Sequence, residues 1–127
     1  MKKLAFLAIV FGSGFAAADV MNYDDDQTLT VDCAKDKSVM LSGNDNKVTL
    51  TGTCTEVNIS GNKNTITGSV KSVKLSGNEN TFTLDAVDSV LVSGNKNSIT
   101  YKATVTKTKK KAGYLNSGNG NKFAKVK

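Results

Sequence analysis

Histidine, arginine, proline and tryptophan are all missing from this chain of 127 residues, and cysteine occurs only twice. Without histidine there is no imidazole to serve as general base, to ligate a metal or to change charge near neutral pH, so the commonest catalytic routes are closed. Without arginine every positive charge is a lysine, a point charge that attracts phosphate but does not read a base edge in bidentate fashion. Aromatic residues for stacking bases are few, three tyrosines and five phenylalanines, so no specific nucleic-acid partner is expected. Two cysteines without histidine are a poor zinc site, and no set of residues calls for a cofactor. The absences predict a protein that is not an enzyme.

Long apolar runs are also scarce. The longest, residues 4–15, follows Lys2 and Lys3 and precedes Ala16, Ala17 and Ala18. This is the three-part pattern of a secretory signal peptide over residues 1–18, and it is shorter than the ~20 residues of a permanent transmembrane anchor. Its lysine-then-apolar style points to bacterial export, to the periplasm or beyond the cell. Residues 19–127 then form one small domain in which fifteen lysines face eleven carboxylates.

What is present is a repeat. Ser-Gly-Asn begins at Ser42, Ser60, Ser76, Ser93 and Ser117, at spacings of 18, 16, 17 and 24 residues. Each copy continues as Gly-Asn-x-Asn, with the amides at Asn44 and Asn46, Asn62 and Asn64, Asn78 and Asn80, Asn95 and Asn97, and Asn119 and Asn121. Apolar residues alternate with polar ones on both sides, as in Val57 and Ile59 before one copy and Phe82 and Leu84 after another. Period two means strand, and a strand, a polar corner and a strand in fixed-period self-similarity mean a stacked array. A unit of about 17 residues cannot bury its apolar side alone, whereas equivalent units stacked at about 4.8 Å make continuous apolar ladders. The expected fold is all-β, a small single-domain parallel β-helix, or β-solenoid, of about five to six coils; a sandwich of hairpins would want two-residue turns and a looser repeat.

At the corners, glycine and asparagine are expected to supply the left-handed backbone a tight turn needs. The asparagines read as a structural ladder, stacked from coil to coil and satisfying corner backbone groups. A repeated calcium site is the other reading, and lysine at Lys63 and Lys96 argues against it. Cys33 and Cys54 fall at the corner where later coils carry Val70 and Val87, so they should stack on adjacent coils and form a disulfide in an oxidising compartment.

The ends carry opposite charge. Residues 19–37 hold six acids and two lysines, with Asp24, Asp25 and Asp26 in place of the asparagine corner. From Tyr101 onward there are eight lysines and no acid, and an insertion at 102–113 lengthens the last spacing. Both ends read first as solvated caps that protect open strand edges. Alternatively the basic end docks an anionic protein, glycan or lipid headgroup through Lys107, Lys109, Lys110 and Lys111, or acidic and basic ends attract each other head to tail.

The units "LSGNDNKVTLTGTC", "ISGNKNTITGSV", "LSGNENTFTLDAV" and "VSGNKNSITY", followed by a lysine-rich break and "SGNGNKF", resemble the bacterial secreted family catalogued as domain of unknown function three thousand and sixty. Its members carry repeated G-x-N-N-T-V-T units, and the resemblance spans roughly residues 29–123. It implies a small β-helix in an exported bacterial protein and no activity, so no catalytic residue is carried over.

Three functional expectations follow. The first is a non-enzymatic binding or structural module of the bacterial envelope, of which an immunity or inhibitor protein against an envelope-targeting enzyme is one form. A polysaccharide-cleaving enzyme would need two carboxylates about 5–9.5 Å apart across a substrate; Asp85 and Asp88 are the nearest pair mid-chain, and short coils leave little room for a cleft. The third is an ice-binding or fibre-forming repetitive surface, built on Thr49, Thr67, Thr83 and Thr100 with Thr65, Thr81 and Ser98 beside them, and interrupted at Lys47, Lys122 and Ala124.

Overall fold

The computed structural model describes residues 20–34 and 38–126. The signal-peptide segment 1–18 lies outside the described residues, as do residues 19, 35–37 and 127. Among the described residues there are nine strands and no helix: β1 (Val20–Asn22), β2 (Thr28–Asp32), β3 (Ser38–Leu41), β4 (Lys47–Ile59), β5 (Thr65–Leu75), β6 (Thr81–Val92), β7 (Ser98–Ala103), β8 (Gly113–Asn116) and β9 (Lys122–Lys125). Every pairing is parallel, which excludes the hairpin sandwich. The chain is a β-solenoid that completes about four turns from the corner at Ser42 to the corner at Ser117.

Each turn has two faces. Residues 28–32, 47–51, 65–68, 81–84, 98–101 and 122–125 stack as the first face, entered just after each asparagine corner. Residues 20–22, 38–41, 56–59, 72–75, 89–92 and 113–116 stack as the second. Alternate side chains point inward, so the apolar positions of the repeat become ladders such as Val48, Ile66, Phe82, Ile99 on one face and Val57, Val73, Val90 on the other, all buried. Burying a Val, Leu, Ile or Phe side chain contributes about 1.5–3 kcal/mol, and no single coil collects that gain without its neighbours.

The asparagine corner does two jobs. The inner amides of Asn46, Asn64, Asn80 and Asn97 are buried. Each reaches back to the preceding coil: Asn64 accepts from the Asn46 N–H through Oδ1 at 2.9 Å and donates through Nδ2 to the Gly43 carbonyl at 3.0 Å, and Asn80 repeats both contacts on Asn64 and Gly61. The outer amides run the other way, the N–H of Asn62, Asn78, Asn95 and Asn119 each donating at 2.9 Å to Oδ1 of the amide one coil earlier. Three backbone groups of the tight corner, the inner asparagine N–H, the glycine carbonyl and the outer asparagine N–H, are thus paired from coil to coil.

One expectation is corrected. The left-handed residue is the variable one between the asparagines, with φ of 55° to 58° at Asp26, Asp45, Lys63, Glu79 and Lys96, and 70° at Gly120. The corner glycine serves close approach instead: a Cβ on Gly61, Gly77, Gly94 or Gly118 would collide with the carbonyl oxygen of the glycine one coil below. That carbonyl is the one the inner amide holds, so stacking and hydrogen bonding fix the same atom.

Cys33 and Cys54 are bonded to each other, with Cα atoms 4.8 Å apart and both residues buried. Cys54 is in register with Val70, and Val70 with Val87, so the disulfide occupies a rung of the corner ladder that valine fills further on. The bridge closes a separation of 21 residues and stabilises the first coils by about 3 kcal/mol in the chain-entropy view.

Candidate functional site

The lysine insertion leaves the rod at the corner opposite the asparagines, between β7 and β8, where shorter coils simply turn from one face to the other. It is held by one acid. The Asp88 carboxylate accepts the N–H of Val105 at 2.8 Å and of Thr106 at 2.9 Å through one oxygen, and the Thr106 hydroxyl at 2.5 Å through the other. Lys109 donates its ammonium to the Asp88 backbone carbonyl at 3.1 Å, and the Thr104 hydroxyl donates to the carbonyl of Lys109 at 2.8 Å. At the far side of the insertion the Ala112 N–H donates to the Tyr101 hydroxyl at 3.1 Å.

Burial of Asp88 works against its charge, but the Thr106 hydroxyl, the two backbone N–H groups and nearby Lys109 outweigh it and hold the carboxyl below its ordinary range. The ionised anchor presents Lys107, Lys109, Lys110 and Lys111 as an exposed turn. Among the described residues the ion pairs are Lys74 with Glu56 and Lys102 with Asp85; of the four turn lysines Lys109 lies near the Asp88 carboxylate, and Lys107, Lys110 and Lys111 stand in no ion pair. The structure thus gathers all four candidate lysines on one turn, and Lys122 and Lys125 lie on β9 in the last coil.

The two mid-chain acids are not a matched pair. Asp85 is exposed at 4.0 Å from Lys102, while Asp88 is buried and its oxygens are occupied by the insertion. Sequence reasoning missed Asp88 as the anchor, because only the folded-back insertion brings residues 105 and 106 to it. The threonine array is longer than expected: Thr30, Thr49, Thr67, Thr83 and Thr100 are in unbroken register, and Thr28 joins the row of Lys47, Thr65, Thr81, Ser98 and Lys122. Thr28 and Thr30 escaped notice because the first unit lacks the Ser-Gly-Asn signal that marks the others.

The basic end is also the less covered end of the core. Tyr114 and Phe123 are half-buried and stacked with ring centroids 4.3 Å apart, and Phe123 stacks on Tyr101 at 5.1 Å. Tyr114 carries a buried hydroxyl without a hydrogen-bond partner, and desolvation raises its pKa. Among the described residues no helix is long and apolar enough to cross a membrane, and the disulfide is compatible with an exported protein.

A family model described as "Protein of unknown function (DUF3060)" matches residues 41–69 and 65–113. No curated protein and no solved structure matches the chain significantly.

Proposed function

Since the chain belongs to this family of unknown function, whose model covers more than half of its length, we propose a role from the chemistry of its own surface: a non-enzymatic, exported bacterial envelope protein that binds an anionic partner at the basic end of a rigid rod. The observation that carries this reading is the built lysine turn. Four exposed lysines within five residues, of which only Lys109 lies near a carboxylate, repel one another, yet a buried Asp88 with three hydrogen bonds anchors the turn to the rod. A cap needed only for solubility has no use for such an anchor. The test is to immobilise the protein beside a variant with Lys107, Lys109, Lys110 and Lys111 changed to Gln and to identify what each captures from envelope extracts at moderate salt. A partner held only by the native turn supports the reading, and equal or empty captures return the lysines to edge protection.

The threonine face supports a second reading, an ordered-water or ice-binding plane. Five threonines in register at the strand spacing of about 4.8 Å, with a second row two residues away, form a regular array of hydroxyl and methyl groups. Thermal hysteresis of a dilute solution tests it; freezing at the equilibrium melting point would end it.

A further inference from the structure

Side chains leaving the second face form two rows along the rod. One row reads Ser38, Glu56, Ser72, Ser89, Gly113, and the other Met21, Met40, Asn58, Lys74, Leu91, Leu115. Toward the basic end the first row shrinks to a glycine and the second becomes leucine, and between them lies a groove of about 290 Å³ walled by Ser72, Ser89 and Gly113 on one side and Lys74, Leu91 and Leu115 on the other. Leu91 and Leu115 are 42% and 67% exposed and adjacent in register. Gly113 is unlike the corner glycines: a Cβ there would meet only the Asp88 carbonyl oxygen at 3.9 Å, so the fold does not require its missing side chain. What the missing side chain does is leave the groove open.

The lysine turn ends at Lys111, two residues before Gly113, so a cationic turn borders an apolar groove at one end of the rod. We infer that this groove seats an acyl chain of an anionic bilayer lipid while the lysine turn meets the headgroups, which makes the basic end a membrane-docking surface. The inference deepens the proposed role and rests on it. A peptide laid across the groove is the poorer fit, because the backbone N–H and C=O groups of β5 and β6 on its floor are committed to their ladders and offer it no partners; β8 pairs only with β6 among the described residues and keeps one free edge beside the groove. An acyl chain needs no backbone partners, and lysines beside exposed leucine are the composition that binds anionic interfaces.

The experiment is co-sedimentation of the purified protein with phosphatidylglycerol vesicles and, separately, with phosphatidylcholine vesicles, at low salt. Native protein should pellet with the anionic vesicles and stay in solution with the neutral ones. Gly113→Gln, which fills the groove from an open position, and Leu91→Ser with Leu115→Ser should each weaken binding about 10-fold while thermal unfolding confirms the fold. The four lysine-to-Gln changes together should weaken it by at least about 100-fold. Native binding that Gly113→Gln and the leucine variant leave unchanged overturns the groove, because the lysines alone would then account for it. Capture of an acidic protein through the lysine turn, with no binding to phosphatidylglycerol, overturns the lipid inference and leaves the anionic-partner reading standing; absence of both removes both.

Discussion

The two ends of the rod solve the same problem differently. At the acidic end the first-coil residues Val20, Leu29 and Val31 are only 2–3% exposed, and Asp24 stands where every later corner has glycine. A Cβ at that position in the later coils would collide with the carbonyl of the coil beneath, and Asp24 carries such a Cβ. At the basic end Gly118 and Gly120 keep the repeat geometry, the last aromatic rings are half-buried, and lysines surround them. One end carries a Cβ at the corner position where stacked coils have glycine, and the other is bordered by lysines. A coil of the repeat's own geometry would clash with the first, which weighs against head-to-tail stacking of copies, while the second stays chemically available.

The largest expected effect breaks the symmetry of the corner. Gly94→Ala drives a Cβ into the Gly77 carbonyl and should lose on the order of 4 kcal/mol. Asp24→Ala, the same position in the first coil, should change stability by no more than about 0.5 kcal/mol. Denaturant unfolding of the two proteins compares them directly, and equal losses would refute the steric account of the acidic end.

Next in size is the staple. Replacing Cys33 and Cys54 with alanine should cost about 3 kcal/mol, with hydrogen exchange rising first in β1 to β3 and last in β7 to β9. Uniform loss of protection along the rod would show that the bridge does not belong to one end.

A smaller, local change is expected in acid. Asp88 has its folded pKa depressed, so its stabilising contribution is complete above the unfolded value of about 3.9 and is lost as pH falls through the lower folded value. Exchange of the Val105 and Thr106 amides should therefore accelerate below about pH 4 while the β4–β6 ladder stays protected, and Asp88→Asn should loosen the same amides already at neutral pH. Protection independent of pH and of that substitution would deny Asp88 its role as anchor.

The smallest effect has the opposite sign. Tyr114→Phe removes a buried hydroxyl without a partner and keeps the ring on Phe123, so it should stabilise the basic end by about 1 kcal/mol. A loss in a thermal melt would mean that the hydroxyl is satisfied in solution.

Much of the architecture was legible because a period-two pattern and a repeated corner leave few ways to bury Val57, Ile66 or Phe82 other than by stacking equivalent strands. The disulfide was legible for the same reason, since the register that aligns Val70 with Val87 also aligns the two cysteines. The left-handed residue was not. Lys63, Glu79 and Lys96 have no intrinsic taste for positive φ, and they adopt it because the flanking asparagines are fixed to neighbouring coils.

The sequence by itself determined the repeat, the stacked parallel strands, the pairing of Cys33 with Cys54 and the opposite charge of the ends, because these follow from periodicity and composition. Only the tertiary structure decided that Asp88 anchors the lysine turn, that Gly113 lies open in a groove beside Leu91 and Leu115, and that Asp24 takes the corner position held by glycine in the later coils. Each of those depends on which atoms meet across coils 16 to 24 residues apart, and no local pattern in the chain records that contact.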